Sequence, residues 1–214
     1  MSHVIVSRFS VPRLDQATSD CHLDRRWLAG RVGLFRHHFV PSVERLGVPT
    51  ILLCSSASAD YVAREIEDLD WAEVKVQDDW HGGWQGSSDE TITRLDSDDA
   101  VHEGWFRALD EAPPGYDAYC TRRFLRLDSA SGRLYSYRRR EPSPLAAFPG
   151  GRNPYAHDHA DLPQRCRVHH LSEAYLLQVV HGGNVSNRRP SWRRYFQQIS
   201  HDRLVSFGLP PEAP

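Results

Sequence analysis

Through its first half the chain alternates between short β-prone runs and helix-period runs, an order that leaves few folds open. His3-Val-Ile-Val-Ser-Arg-Phe9 reads as a buried first strand with Arg8 at its carboxyl end. Leu23 to Val40 carries a helical pattern, with Val32, Phe35 and Phe39 on one apolar face. Pro41 then either breaks that helix or starts a second short one, Ser42 to Leu46. Thr50-Ile-Leu-Leu-Cys54 is a second buried strand, and Ser58 is placed to cap a helix with Val62, Ile66 and Leu69 on one face. Ala72 to Gln77 alternates like a strand. After a glycine-rich loop, Thr91 to Leu95 gives a further strand, and a helix is expected from Asp99, through Val101, Trp105 and Leu109. The order βαβαβ, loop, βα predicts a mixed, mostly parallel sheet with helices on both faces. Ligands bind beyond the carboxyl ends of strands in such sheets, and Arg8, Asp78 and Asp96 to Asp99 all fall at those ends.

The second half reads differently. Tyr116 to Leu127 and Arg133 to Arg140 look like two strands joined by a hairpin turn at Asp128-Ser-Ala-Ser-Gly132. Pro142 to Pro154 is expected to be loop, and Leu171 to Val180 is an apolar run ahead of His181-Gly-Gly-Asn184. From about Val205 a loosely ordered tail is expected. The 214 residues suit one sizeable core and are few for two, and no internal repeat is present. The expected organisation is therefore a single domain, with 1–110 and 111–204 as its two halves.

Residues 96–99, Asp-Ser-Asp-Asp, are the candidate chemical centre. Their carboxylates repel one another unless a cation or a helix terminus offsets the charge. A hard divalent cation, which prefers oxygen ligands, would use Asp96 and Asp98, while Asp99 stands where a helix N-cap should be. The plainer reading is an acidic turn that caps a helix and nothing more. Arg94 lies two residues before Asp96, so both side chains should share one face of the strand, where Arg94 would neutralise the acids or meet a ligand. Arg8 reads either as a strand-end ion pair or as a phosphate contact.

The formal net charge of −2 gives no overall pull toward nucleic acid or an anionic membrane. Every basic residue except Lys75 is arginine, whose planar fork suits phosphate and carboxylate. The cysteines (Cys21, Cys54, Cys120 and Cys166) are scattered without a CxxC pair, Cys54 reading as a core thiol. With no signal-like apolar start and no stretch as apolar as a membrane span, a cytoplasmic chain with reduced thiols is expected.

Three pieces of the sequence together resemble bacterial nucleotide-sugar glycosyltransferases of the GT-A fold, in particular a family named for rhamnosyl transfer. They are Ser7-Arg8-Phe9 with Arg31, Leu34, Phe35 and Pro41-Ser42; Thr93-Arg-Leu-Asp-Ser-Asp-Asp-Ala100; and Leu177-Gln-Val-Val-His-Gly-Gly-Asn-Val-Ser-Asn187. The resemblance implies a GT-A-like α/β domain and a nucleotide-diphosphate-sugar donor held by Mn²⁺ or Mg²⁺. It implies Asp98 and His181 as metal ligands, and Asp96 on metal or ribose. Arg8, Phe9, Asp78, Arg94 and Asp96 become the expected nucleotide-side residues. A metal on both phosphates would stabilise the charge that develops on the leaving diphosphate.

An inverting transfer also needs a base for the acceptor hydroxyl. Asp158, within His157-Asp-His159, is the first candidate and Glu173 the second; Asp158 as a helix N-cap is the structural alternative. A zinc site from His157, His159, His169 and His170 is a further reading, disfavoured because no cysteine joins it. Trp80 and Trp84 either stack on a ligand or simply pack. The arginines at 122–123, 138–140 and 188–194, the last with Trp192, are either solvated faces or a site for an anionic acceptor. The acceptor is left as a glycan, a small molecule or a nucleic acid, and the oligomeric state is open. Two rivals share the same residues: a metal-dependent nucleotidyltransferase or phosphohydrolase acting within the diphosphate, and a nucleotide-sugar binding module without turnover.

Overall fold

The structure, a computed structural model, describes residues 2–11, 24–82, 84–138, 141–181 and 197–211. Its strands are β1 (Ser2–Ser10), β2 (Thr50–Cys54), β3 (Ala72–Val76), β4 (Glu90–Arg94), β5 (Ala100–Val101), β6 (Ala118–Thr121), β7 (Arg123–Asp128), β8 (Arg133–Arg138), β9 (Ala146–Pro149), β10 (Val168–Leu171), β11 (Leu176–Val180) and β12 (Gln197–Gln198). Its α-helices are α1 (Arg25–Leu34), α2 (Val40–Glu44), α3 (Ala59–Glu65), α4 (Trp105–Asp110) and the single turn α5 (Leu162–Arg165).

The main sheet has the order β10-β6-β9-β4-β1-β2-β3. All its strands run parallel except β9, which pairs antiparallel with both β4 and β6. The chain steps outward from β1 through β2 to β3, then returns to place β4 on the other side of β1. The strand order therefore reverses between β1 and β4, and the carboxyl ends flanking that switch point form the crevice where α/β sheets receive ligands. A second sheet, β12-β8-β7-β11-β5, adjoins it. This is the mixed, mostly parallel α/β architecture expected from the order of strands and helices.

Pleating assigns the two faces. Ile5, Phe9, Leu52 and Cys54 project to the side covered by Leu28 and Val32 of α1, Val62 of α3 and Trp105 of α4. Val4, Val6, Leu53 and Ile92 project to the other side. There the cover is α5, through Leu162, together with the loop residues Trp80, Trp84 and Tyr155. One face is thus mainly helical. The other rests largely on loops, and this brings Trp80, Trp84 and residues 153–158 over the strand ends.

Five local expectations are corrected. Pro41 does not end the helix: helical turns continue from Arg25 to Glu44 through a π turn at Phe35–Phe39. There Val40 N–H bonds back to Phe35 O, a wider loop that relieves the clash a proline makes with the preceding turn. Asp99 is not a helix cap. It leads into β5, and α4 begins only at Trp105, with Gly104 at its N-cap position. The run 116–127 is two strands in different sheets, parted at Arg122. The stretch 142–154, expected as loop, contains β9, whose Ala146, Ala147 and Phe148 are buried between β4 and β6. The segment from 205 is packed, not loose: a 3-10 helix spans His201–Phe207, and Leu204, Phe207 and Leu209 close the outer face of the second sheet.

Candidate functional site

Three structural elements bring the candidate residues together. Arg8 lies two residues before the end of β1, Arg94 ends β4, and by parallel register both project from the loop-covered face alongside Val6 and Leu53. The third is the short antiparallel ladder between β5 and β11. It pairs Ala100 with Leu177, so the chain before Ala100 runs back alongside the end of β11. Asp99 Oδ1 accepts a 2.9 Å bond from Val179 N–H, which fastens the two segments. One consequence is that the Nε2 of His181, far away in sequence, lies 2.8 Å from Asp98 Oδ2.

The same oxygen of Asp98 accepts Arg31 Nη1 from α1 at 2.9 Å, while Arg31 Nη2 donates to Ser97 Oγ. Burial alone would raise the Asp98 carboxyl, but Arg31 and His181 outweigh it and hold the acid at about 2. Asp98 is therefore a carboxylate throughout the physiological range. Asp99, fully enclosed, is pushed well above the usual range by burial and by the charges of Asp98 and Asp96, against which its bond from Val179 works. Asp96 is raised by burial and by Asp98, with Arg8, Arg94 and Arg31 opposing. Its side chain accepts no hydrogen bond from the described residues, although it stands among three guanidinium groups.

Arg8 is held flat between two rings, its guanidinium carbon 3.4 Å from the Trp80 ring centre and 4.2 Å from that of Tyr155. Arg8 Nη1 donates to Trp80 O at 3.2 Å, and its buried Nε has no partner. Tyr155 is itself fixed, donating its hydroxyl to Val6 O at 3.0 Å and accepting Arg8 N–H at 3.1 Å. Burial lowers the Arg8 pKa, with Asp96 and Asp158 among the groups that oppose this. Trp80 thus stacks on Arg8, where a ligand contact or plain packing had been the options.

Arg94 takes a structural role in this geometry. It is 3% exposed and donates to three main-chain carbonyls: Pro144 at 3.1 Å, Pro154 at 2.9 Å and His157 at 3.1 Å. It therefore pins the loop that carries Asp158 against the end of β4. Asp158 stands within electrostatic range of both Arg8 and Arg94, half-buried, with no side-chain hydrogen bond from the described residues. It is not the cap of α5; Asp161 holds the N-cap position, and its side chain makes no capping bond.

Three expected residues are placed elsewhere. Phe9 is the bulged residue where the β1–β2 register slips between Arg8 and Ser10, and its ring is in the core, edge-on to Phe35 at 5.5 Å. It does not face the crevice. Glu173 is exposed, with its carbonyl bonded by Thr121 and its carboxylate near Tyr175 beside Arg107 and Glu111, away from the aspartates. Asp78 is exposed at the end of β3, where Oδ1 accepts Ser56 N–H at 2.8 Å. It holds the β2–α3 loop at the rim of the crevice. Residues 182–187 of the third resembling stretch lie outside the described residues, as do Arg139, Arg140 and Arg188 to Arg194 with Trp192.

Two residues of the site were not anticipated in their roles. Arg31 is part of the resembling stretch, but no pattern pairs it with Asp98. His38, in the π turn, is 4% exposed, and its buried Nδ1 has no partner. Burial, then His37, lowers it to about 4, with Asp98 pulling the other way and His181 adding to the drop. Nothing in a 3.6-residue period singles out His38, because the π turn shifts the face it projects from.

Among the described residues no group of three His, Cys, Asp or Glu side chains converges as a ready metal shell, and this includes the histidines at 157, 159, 169 and 170. His169 and His170 point to opposite faces of β10, one against Tyr116 and Tyr119, the other on Cys120 at 3.2 Å. Cys54, Cys120 and Cys166 are free thiols. No helix among the described residues is long and apolar enough to cross a membrane.

No family model matches the sequence, and no curated protein matches it either. Solved structures are similar in fold. Rv0371c from Mycobacterium tuberculosis H37Rv is 16% identical over 81% of this chain and 89% of its own, with a TM-score of 0.45. The manganese complex of that protein is 15% identical over 83% of this chain and 91% of its own, at 0.44. Residues 1–349 of S. aureus TarS, in complex with UDP-GlcNAc, are 11% identical over 86% of this chain and 60% of that one, also at 0.44. Likeness at this level carries no assignment of activity or site.

Proposed function

We propose that the chain is a glycosyltransferase that takes its sugar from a nucleotide-diphosphate donor bound at the crevice between β1 and β4. One observation carries the reading: an ionised Asp98 and an Asp96 that accepts no side-chain hydrogen bond from the described residues stand together at a parallel-sheet switch point, ringed by Arg8, Arg31 and Arg94. Such a site has both carboxylates for a cation and fixed positive charge for phosphate. A helix-capping turn needs neither.

The described residues hold candidate ligands for Mn²⁺ or Mg²⁺ without forming a complete shell: Asp98 and His181 touch, Asp96 accepts no side-chain hydrogen bond from the described residues, and phosphate oxygens and water would complete the coordination. When bound, the ion would act as a Lewis acid on the diphosphate. The chain's own residues do the rest. Arg8, clamped between Trp80 and Tyr155, supplies a fixed positive charge beside Asp96 and keeps a buried Nε–H unpaired. Asp78 at the rim marks the nucleoside end. Arg94 acts indirectly by fixing the loop of Asp158. Asp158 is proposed to take the proton from the acceptor hydroxyl as it attacks the anomeric carbon, giving inversion. The first half of the chain supplies the donor crevice, and the second half supplies Asp158, His181 and the acceptor side.

The test of this division of labour is Asp158→Asn. The variant should keep donor-induced thermal stabilisation in the presence of Mn²⁺ and lose turnover by about 100-fold or more. Full activity in Asp158→Asn rules out this base, and no stabilisation of the wild-type protein by any nucleotide-sugar rules out the donor site.

A further inference from the structure

Asp98 presents one oxygen to two partners at once. Arg31 Nη1 lies 2.9 Å and His181 Nε2 2.8 Å from the same Oδ2. The ion pair with Arg31 is enclosed, with side-chain exposures of 15% and 8%. A second contact, to Ser97 Oγ, holds the guanidinium in this orientation, and its Nε is buried without a partner. Arg31 therefore occupies a position on Asp98 Oδ2 that an incoming cation would need, and its Nε–H is still unpaired. A divalent ion placed on Asp98 would sit close to this fixed positive charge and be repelled by it, with little solvent to screen the pair. A diphosphate would reverse the balance, because its oxygens match the planar fork of arginine and cancel the repulsion.

We propose that Arg31 is a guard on the metal site: it holds Asp98 against free divalent ions and releases it only when a diphosphate takes over the guanidinium. The inference rests on the reading of Asp98 as a metal ligand in a diphosphate site, and it adds an order of events. Metal and diphosphate bind together, each strengthening the other by the same factor. Arg31 is then a positioning residue whose removal helps the bare metal and harms the metal–diphosphate pair.

The full-length protein is titrated with Mn²⁺ alone, free Mn²⁺ being followed by its paramagnetic resonance signal. Arg31→Gln should bind Mn²⁺ at least about tenfold more tightly than wild type, and Arg31→Lys, which keeps the charge, should stay within about threefold of wild type. Equal or weaker binding by Arg31→Gln overturns the proposal, including the case where neither protein binds. A second measurement needs no variant. Mn²⁺ with inorganic pyrophosphate should raise the melting temperature of the wild type by more than the two separate shifts added, and strictly additive shifts overturn the proposal. Donor turnover is a separate readout. If Arg31→Gln gains Mn²⁺ affinity while no nucleotide-sugar is consumed, the guard stands and the glycosyltransferase reading falls. If donor is consumed but Arg31→Gln gains no Mn²⁺ affinity, the guard falls and the glycosyltransferase reading stands.

Discussion

His38 makes the interior of the site sensitive to mild acid, by an amount that can be worked out. The imidazole is buried in the π turn, and its pKa falls from 6.5 to about 4, chiefly by loss of solvation. Between those values the unfolded chain binds a proton that the folded chain refuses, so stability must fall as pH drops through this window. From pH 8 to pH 5 the loss from this one group is about 2 kcal/mol, the remainder coming below pH 5. Asp96 and Asp99, whose pKa values are raised, titrate with the opposite sign, so the wild-type curve alone does not isolate His38. The difference from His38→Met does. Methionine fills similar space, removes the titrating group and removes the buried Nδ1 that has no partner. Urea unfolding at pH 8 and pH 5 gives the stability of both proteins. The variant should lose about 2 kcal/mol less than wild type on acidification. If both proteins lose the same amount to within about 0.5 kcal/mol, then His38 is not held neutral by burial in the π turn.

Two further changes test the packing that carries the site. Phe207→Ala removes a ring that is 1% exposed beneath the second sheet and should cost about 3–5 kcal/mol in urea unfolding; a loss below about 1 kcal/mol would mean that the C-terminal segment is not part of the core. Gly151→Ala places a Cβ against the carbonyls of Gly86 and Ser87 at a backbone φ of +64°. It should lower stability by more than about 1 kcal/mol, and an unchanged melting temperature would contradict the close approach of the two loops.

The first half of the fold was legible because its strands are short apolar runs bounded by breakers. Thr50 to Cys54 is such a run, and the sheet uses those residues as β2. Arg8 and Asp96 were placed at the crevice by the same logic. What failed did so for identifiable reasons. Pro41 looks like a stop until the π turn before it widens the hydrogen-bond ring. Ala146 to Phe148 form a central strand with little β propensity, held by burial between β4 and β6; flanking prolines and glycines made that stretch read as loop. Asp99 resembled a cap because the helix signal downstream is real. The Val179 N–H that claims it belongs to a strand some eighty residues away, and local pattern carries no such pairing. Arg94 and Asp96 do lie within electrostatic range of one another, but only the folded segment 144–157 shows Arg94 serving carbonyls. The pairing of His181 with Asp98 followed from the family resemblance, and the β5–β11 ladder supplies its physical cause.

The most direct test of the central claim is the product formed when the full-length protein is incubated with a panel of nucleotide-sugars and Mn²⁺, with Asp98→Ala alongside. Release of intact nucleoside diphosphate from at least one donor, dependent on metal and lost in Asp98→Ala, is the predicted result. Release of nucleoside monophosphate or pyrophosphate would contradict it and move the chemistry inside the diphosphate. Consumption of no donor at all would leave the crevice between β1 and β4 as a binding site without transfer.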